Sequence, residues 1–186
     1  FPDSYSQADF YRQVVEVTGG FLVIGTKQKM DFLQEIFVLK TNALGNKLWE
    51  KKIASSSRQI DFNTLIRISN NEYVIGSGTF SSSSTPPAQV TITSKIFAID
   101  SLGNTKWNWE SPESNKEIGV AGLYQTDEGN WAYATTKCIY NTTYAEYQCK
   151  PKFIIRDANF KVLSELAFGV GDSPRNRFKH ITQLSD

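Results

Sequence analysis

The chain has 186 residues, with 20 basic and 19 acidic side chains and a formal net charge of +1. This length fits one domain with a sizeable core. The balanced and scattered charge lacks the basic footprint of a nucleic-acid-binding or membrane-surface protein. Aromatic residues make up 13% of the chain and there is a single methionine, a mixture that favours strands over helices. No apolar run approaches the ~20 residues that a membrane-spanning helix needs.

Short strand-like segments recur along the chain in a fixed order. Each unit begins with an alternating segment, continues through a tight turn into a more apolar segment, and ends in a hairpin. The first unit reads "VVEVT", "FLVIG" and "IFVLKTNALGNKLW". The second reads "LIRIS", "YVIGSG" and "IFAIDSLGNTKW", and the third reads "GLYQT", "WAYATT" and "KFIIRDANFKVL". A further "ITQLS" at 181–185 begins the order again.

This repeat predicts an all-β fold of β-propeller blades, each with four antiparallel strands, because a unit of roughly 50–60 residues with four short strands matches one blade. A β-sandwich built from successive hairpins is the alternative. The predicted organisation is an N-terminal extension at 1–10, blades at 11–63, 64–120 and 121–178, and the first strand of a fourth blade at 179–186. Trp49 and Trp107 are expected to cover the gaps between adjacent blades.

The hairpins give a provisional alignment of the repeats. Gly103 and Asn104 supply residues that tolerate positive φ in the second hairpin. The turn of the first hairpin is interpreted as two residues longer, and the "VIG" motifs at 23–25 and 74–76 are matched with each other. In the third hairpin, Asn159 is placed at the glycine position and Leu163 at the tryptophan position.

The second hairpin resembles a known family of repeats. "IFAIDSLGNTKWNWE" at 96–110 is similar to the Asp-x-x-Gly-x-x-x-Trp unit of quinoprotein-like (PQQ-type) propellers. It resembles still more closely the repeats of secreted and surface propellers of Bacteroidetes. Residues 19–26 and 36–52 follow the same pattern, and the resemblance covers most of 11–186. It implies a propeller fold, and it points to adhesins, assembly factors and polymer-handling proteins alike.

The number of repeats implies a larger assembly. Closed propellers use about 4–8 blades, whereas three blades and one strand are predicted here. We therefore expect the chain to be a piece of a longer protein, with a ring completed by a second copy as an alternative. The strand edge at 181–185 would otherwise be open to pairing with another chain.

The two cysteines predict the compartment. Cys138 and Cys149 flank a polar loop, and a disulfide between them would indicate an oxidising, extracytoplasmic setting, either secreted, cell-surface or periplasmic. Two free thiols in a reducing compartment are the alternative. Without a partnering histidine or a second cysteine pair they do not make a zinc site.

Two short motifs are candidate glycosylation sites. Asn141 begins an Asn-Thr-Thr sequon in the cysteine loop, which is usable in a eukaryotic secretory pathway. Ser101 lies in an Asp-Ser-Leu sequence that resembles the O-glycosylation motif of exported Bacteroidetes proteins. Asp-Ser is also ordinary turn chemistry.

The sequence offers no convergent catalytic set, so we expect neither enzymatic activity nor a cofactor. The only histidine, His180, precedes a predicted strand. The first-strand residues that would face a propeller axis, Glu16, Arg67, Tyr124 and Gln183, contain no paired carboxylates of the kind that a quinone cofactor and its calcium need. Glu16, Asp127 and Asp186 are the weak candidates for a glycosidase pair.

Binding is the expected function. The cysteine loop carries three tyrosines, Tyr140, Tyr144 and Tyr147, which form a candidate contact surface for a protein or a glycan. The leading hypothesis is a non-catalytic extracytoplasmic propeller that scaffolds or binds protein, as a surface protein or an accessory subunit of a cell-envelope assembly, such as one at an outer membrane. A carbohydrate-binding or carbohydrate-processing propeller is the alternative.

Overall fold

The protein forms three four-stranded antiparallel sheets, each made of strands that are consecutive in the chain. The computed structural model describes residues 6–29, 34–56, 64–82, 90–112, 117–141 and 146–168. Sheet 1 contains β1 (Ser6–Val17), β2 (Gly20–Lys29), β3 (Gln34–Asn42) and β4 (Lys47–Ser56). Sheet 2 contains β5 (Thr64–Ser69), β6 (Glu72–Ser82), β7 (Val90–Ile99) and β8 (Thr105–Glu110). Sheet 3 contains β9 (Glu117–Gln125), β10 (Trp131–Asn141), β11 (Glu146–Arg156) and β12 (Val162–Ala167).

The prediction of an all-β chain with four antiparallel strands per repeat is confirmed, and the described residues contain no helix. The predicted strand of a fourth repeat, at 179–186, lies outside the described residues.

Sheet 2 is the middle layer, and its two faces contribute to two separate cores. Alternate residues of a strand point to opposite faces. In β6, Tyr73 and Ile75 belong to the core shared with sheet 1, whereas Val74 belongs to the core shared with sheet 3. The first strands of the sheets also lie near one another, since β1 contacts β5 and β5 contacts β9. Burial on both faces explains why the second strands of the repeat read as continuous apolar runs.

The turn between the third and fourth strands has the same hydrogen bonds in all three sheets. It begins at Asn42, Asp100 or Asp157, whose Oδ1 accepts the backbone N–H groups two and four residues later. Three residues after this start, the chain takes positive φ, at Gly45 (81°) and Gly103 (76°) in the first two sheets. This is a three-residue hairpin loop that ends in a left-handed residue.

These turns correct the sequence alignment of the third hairpin. The left-handed residue there is Phe160, with φ of 63°, and not Asn159. Counted from the start of the turn, Ser164 and not Leu163 stands at the tryptophan position. The ladders agree, since Ile155 pairs with Ser164 as Ala98 pairs with Trp107.

Three further expectations about the repeat are wrong. The first hairpin turn has the same length as the second, because the two residues counted as extra, at 40–41, belong to strand β3. The "VIG" motifs are out of register by one residue: Leu22 and Val74 each face the following sheet, so the alignment pairs Leu22, not Val23, with Val74. Asn104 does not have positive φ, unlike Gly103.

The outer-strand tryptophans cover the next sheet, as predicted. A Cβ atom added to Gly103 would lie 2.8 Å from Cη2 of Trp49. The Trp107 ring lies 5.6 Å from the rings of Trp131 and Phe160 in sheet 3. Each tryptophan therefore packs against the hairpin turn of the following sheet.

Candidate functional site: the outer face of sheet 1

Sheet 1 has an apolar face that is turned away from sheet 2, here called the outer face. Its core shared with sheet 2 lies on the opposite face. Direct ladder pairs place the following residues on the outer face: Tyr11, Val14, Glu16, Phe21, Val23, Phe37, Leu39 and Thr41. Among the described residues, neither of the other two sheets packs on it.

The equivalent positions in the other two sheets are buried under a preceding sheet. Val23 corresponds to Ile75 in sheet 2 and Tyr133 in sheet 3, and both of these are fully buried. On sheet 1, by contrast, Val23 is only half-buried, and Tyr11 and Val14 on the neighbouring strand are 62% and 57% exposed. The outer face is thus built like a sheet-to-sheet contact but is open at its first strand. Exposed apolar side chains in such positions make this face a candidate interaction site.

Thr41 is a second sign that the outer face is incomplete. Its side chain is buried, and its Oγ1 atom has no hydrogen-bond partner in the described part of the chain. Thr41 pairs with Phe21 in the ladder, so both side chains lie on the outer face. A buried hydroxyl without a partner costs free energy, about 1–3 kcal/mol, and calls for an explanation. A partner seated on this face would supply one.

Charged side chains surround the apolar centre. Lys27 and Lys47 both bond the carboxylate of Glu50, the latter at 2.8 Å. Partial burial of Glu50 would raise its pKa, but the hydrogen bonds from the two lysines outweigh that effect and lower the pKa. Lys27 also lies over the Phe37 ring, 5.0 Å from its centroid. Glu50 is therefore ionised at neutral pH and paired with both lysines.

The most organised polar cluster lies elsewhere, on the face of sheet 3 that is turned to sheet 2. Arg156 Nη2 lies 2.8 Å from Glu117 Oε1, and Arg156 Nε donates to Tyr133 Oη at 2.7 Å. Tyr133 in turn donates to Glu117 Oε2 at 3.0 Å. Burial, with the adjacent Glu117 charge, raises the pKa of Tyr133, so the phenol stays protonated. The Trp109 ring covers the Arg156 guanidinium at 4.9 Å.

This cluster is closed rather than reactive. The Arg156 and Glu117 side chains are 4% and 3% exposed, so a substrate has no approach to them. Each polar atom named above already has a partner inside the cluster. The geometry fits a structural role at the contact between sheets 2 and 3.

The aromatic rings beside this cluster also pack on one another. Phe160 stacks on Trp109, with centroids 4.8 Å apart, and lies nearly parallel to Trp131 at 5.9 Å. Because the ring faces are engaged within the cluster, this group favours packing over sugar recognition.

The backbone register brings the two cysteines together. Cys138 of β10 pairs directly with Cys149 of β11, and Tyr140 pairs with Tyr147 two positions further along the same ladder. The disulfide itself stays a prediction. Tyr144 lies outside the described residues, so the three tyrosines are not shown as one surface.

The two candidate glycosylation residues lie at chain reversals. Asn141 ends strand β10, while the rest of its sequon falls outside the described residues. Ser101 lies in the β7–β8 turn, where its Oγ donates to Asn71 Oδ1 at 2.8 Å. Neither modification is tested by this geometry.

The weak catalytic candidates do not converge in the described part of the chain. Glu16 and Arg67 are exposed on β1 and β5, and Asp127 is exposed in the β9–β10 turn. Tyr124 is half-buried on β9. His180, Gln183 and Asp186 lie outside the described residues.

The described residues contain neither a metal-binding cluster nor a membrane-spanning helix. No group of three or more histidine, cysteine, aspartate or glutamate residues lies close enough to hold a metal ion. No helix long and apolar enough to span a membrane was found in the same residues.

Sequence reasoning missed the outer face of sheet 1 and Thr41. The repeat itself contained the signal for Thr41. In each hairpin one residue directly precedes the turn, and this residue is Thr41, Ile99 or Arg156. The misaligned "VIG" motifs concealed it, since a shift of one residue exchanges the two faces of a strand.

No protein-family model matches the chain, and no curated protein sequence matches it.

Proposed function

We propose that this protein is a non-catalytic extracytoplasmic scaffold that binds protein through the outer face of sheet 1. One observation carries the proposal: this face has the construction of the two internal sheet contacts, yet it is open at Tyr11 and Val14. The partner that fits such a face is another β-sheet with an apolar surface, because that is what covers the equivalent faces of sheets 2 and 3.

The three sheets are proposed to be successive blades of a β-propeller. In a propeller the first strands line the axis, and the contacts of β1 with β5 and of β5 with β9 support that arrangement. The packing of each outer-strand tryptophan on the next turn supports it too. A sandwich of hairpin sheets is the alternative. Cryo-electron microscopy of the native assembly distinguishes them, since a propeller gives a ring around a channel and a sandwich gives a slab.

The extracytoplasmic location rests on the predicted disulfide. The pairing of Cys138 with Cys149 in the ladder is compatible with a cross-strand bond. Alkylation of the native protein, with and without prior reduction, tests it. We expect labelling of both cysteines only after reduction, and labelling of both thiols without reductant would contradict the proposed compartment.

Protein binding is tested by site-specific photocrosslinking in the native setting. A benzophenone amino acid replaces Val14 on the outer face or, as a control, Leu102, which is 63% exposed in a turn of sheet 2. We expect a crosslinked protein adduct from position 14 and none from position 102. Absence of any adduct at position 14, in chains that fold normally, would contradict the proposed function.

A further inference from the structure

We propose that the partner on the outer face of sheet 1 is a β-sheet of another protein whose outer strand presents a tryptophan, followed two residues later by a lysine, to the β3–β4 turn. The inference rests on the proposed function and names the chemistry of its partner. Its basis is that both internal contacts between sheets use the equivalent turn as the docking point of a tryptophan ring.

The contact between sheets 1 and 2 shows what such a turn receives. The Trp49 ring lies against Gly103 in the β7–β8 turn, where an added Cβ atom would be 2.8 Å from Cη2 of the ring. Lys51, two residues later on the same strand, donates from Nζ to Asn104 Oδ1 at 2.8 Å. The Lys51 Nζ atom also lies 5.9 Å from the centroid of the Trp49 ring. The tryptophan and the lysine therefore contact two successive turn residues as a unit.

The contact between sheets 2 and 3 has different residues at the same positions. Trp107 takes the place of Trp49 and lies 5.6 Å from Phe160, which holds the left-handed position of its turn. Trp109 takes the place of Lys51 and stacks on Phe160, with centroids 4.8 Å apart. A turn with glycine and asparagine thus receives tryptophan and lysine, whereas a turn with phenylalanine receives two tryptophans.

The β3–β4 turn of sheet 1 matches the first of these two turns. It carries Leu44, Gly45 and Asn46, the same three residue types in the same order as the β7–β8 turn. Gly45 has φ of 81° and Gly103 has φ of 76°, so the two backbones agree as well. Gly103 is buried, whereas Gly45 is exposed and an added Cβ atom there would meet nothing within 4 Å. The space that Trp49 fills on Gly103 is therefore open on Gly45.

The strand position beside the turn is also only partly covered in sheet 1. Phe21, Tyr73 and Trp131 are equivalent, since each pairs in its ladder with the residue that directly precedes the turn. Tyr73 and Trp131 are 2% and 4% exposed, but Phe21 is only half-buried. In the contact between sheets 2 and 3, one tryptophan ring lies 5.6 Å from both this position and the turn residue. An indole in the equivalent place on sheet 1 would cover Phe21 and Gly45 together.

The ring has to come from a partner. All four tryptophans of the sequence lie in the described residues, and each packs in an internal contact between sheets: Trp49, Trp107, Trp109 and Trp131. In sheet 3 the equivalent position of the outer strand holds Ser164, which has no ring. Neither these 186 residues nor a second copy of them can supply the indole without breaking an internal contact. The partner is therefore a different protein.

Photocrosslinking at the turn identifies the partner strand. A benzophenone amino acid replaces Leu44, which is 87% exposed and adjacent to Gly45, in the full chain and its native setting. The crosslinked peptide is sequenced by mass spectrometry. We expect a peptide of another protein with a tryptophan two residues before a lysine. An adduct whose peptide contains no tryptophan would overturn the inference, as would an adduct with this chain itself.

A matched pair of glycine substitutions tests whether the ring docks on Gly45. Gly45 and Gly129 both have φ of 81° and open space at the Cβ position. Asparagine tolerates this conformation, so Gly45→Asn and Gly129→Asn should fold with similar melting temperatures. Gly45→Asn places a side chain where the indole is proposed to lie, and it should lower the yield of the crosslink at position 14 by about tenfold. Gly129→Asn, in the β9–β10 turn, should leave that yield unchanged, and equal yields from the two variants would contradict the docking.

Charge at Asn46 tests the proposed lysine. In the proposed contact Asn46 takes the place of Asn104, which accepts the bond from Lys51. Asn46→Asp should raise the yield of the crosslink at position 14, and Asn46→Lys should lower it several-fold, because a lysine of the partner is attracted in one case and repelled in the other. The difference should shrink at high salt. Equal yields, or the reverse order, would overturn the assignment of a lysine.

The proposed function and this inference fail in different ways. A position-14 adduct with another protein whose yield is unaffected by Gly45→Asn retains the proposed function and overturns the inference. Absence of any adduct at position 14, in chains that fold normally, contradicts both.

Discussion

The two internal contacts between sheets share one geometry but use different chemistry. Between sheets 1 and 2 the core is mostly aliphatic, with Tyr73 and Phe97. Its polar link is Gln13, whose side-chain amide donates to Leu65 O and accepts from Leu65 N, each at 2.9 Å. Between sheets 2 and 3 the core contains tryptophans and the buried Arg156–Glu117 pair. The position of Arg156 is held by Ile99 in sheet 2, so the same site in the repeat accepts an ion or an alkyl group.

The comparison shows that the repeat determines which positions are buried but not which residue types fill them.

The two contacts also differ in how closely the backbones of neighbouring sheets approach each other. In sheet 2, a Cβ atom on Gly78 would come within 2.2 Å of Gly119 Cα, so glycine is needed for β9 to approach β6. In sheet 1 the equivalent of Gly78 is Thr26, a buried residue that carries a side chain. The contact between sheets 2 and 3 is consequently the closer one for the backbone.

The largest expected effect comes from removal of one member of the buried pair. Arg156→Met leaves the Glu117 carboxylate buried without its cation, and such changes cost about 3–5 kcal/mol of the free energy of unfolding. Urea denaturation followed by circular dichroism measures the loss. A loss below 1 kcal/mol would mean that water reaches this contact.

A triple variant is the control for that prediction. Glu117→Leu, Tyr133→Phe and Arg156→Met together give sheet 3 an apolar face like that of sheet 2. Because well-packed apolar replacements of buried ion pairs are often neutral, we expect most of the stability to return. If the triple variant stays as unstable as Arg156→Met, the ion pair has a role that an apolar contact cannot reproduce.

The next effect concerns the amide link of the first contact. Gln13→Leu leaves the N–H and C=O groups of Leu65 without their partners, at a cost of about 1–3 kcal/mol. Chemical denaturation measures it, and hydrogen exchange at Leu65 should accelerate. Arg12→Leu, at the neighbouring exposed position, is the control and should change stability by about 0.5 kcal/mol or less. Equal effects of the two substitutions would contradict the role of Gln13.

A pair of glycine substitutions compares the hairpin turns. Gly45→Ala and Gly103→Ala both force a side chain into positive φ, which costs about 1–2 kcal/mol. A Cβ atom on Gly103 would also meet the Trp49 ring, whereas one on Gly45 would meet nothing within 4 Å. Thermal unfolding should show Gly103→Ala to be the less stable by roughly a further 1 kcal/mol. Equal melting temperatures would mean that the Trp49 ring moves freely.

Much of this fold could be predicted from the sequence, because strand alternation and turn residues are local signals. The three repeats, the four strands of each and the covering role of Trp49 and Trp107 all follow from patterns within one unit. The alignment of the repeats was wrong where different residue types adopt the same backbone conformation. Phe160 takes the left-handed position that glycine holds in the other turns, and its ring stacks in the contact between sheets, which offsets the backbone strain.

The outer face of sheet 1 could not be predicted in the same way. An apolar residue such as Val23 reads identically whether its face is covered or open, since the sequence does not state which neighbour is present. The buried ion pair could not be predicted from the sequence for a related reason. Glu117 and Arg156 are far apart in the chain, and a charged residue in a strand is ordinarily a surface residue.

The smallest expected effect is a pH dependence of stability, which tests whether Glu72 helps to hold the Trp107 ring in the aromatic contact. Glu72 accepts a bond from Lys106 and another from Trp107 Nε1, at 3.1 Å for the latter. The bond from Lys106 lowers the pKa of Glu72 despite partial burial, and the bond from Trp107 adds to this. A lowered pKa in the folded state means stability that is fully present above the unfolded value, near pH ~4.3, and is lost as the pH falls through the folded value. Because the group is near the surface, the loss should stay below about 1 kcal/mol. Urea midpoints between neutral and acidic pH should fall less steeply for Glu72→Gln than for the wild type. An unchanged slope would mean that Glu72 does not hold Trp107 in solution, and that the ring is positioned by Trp131 and Phe160 alone.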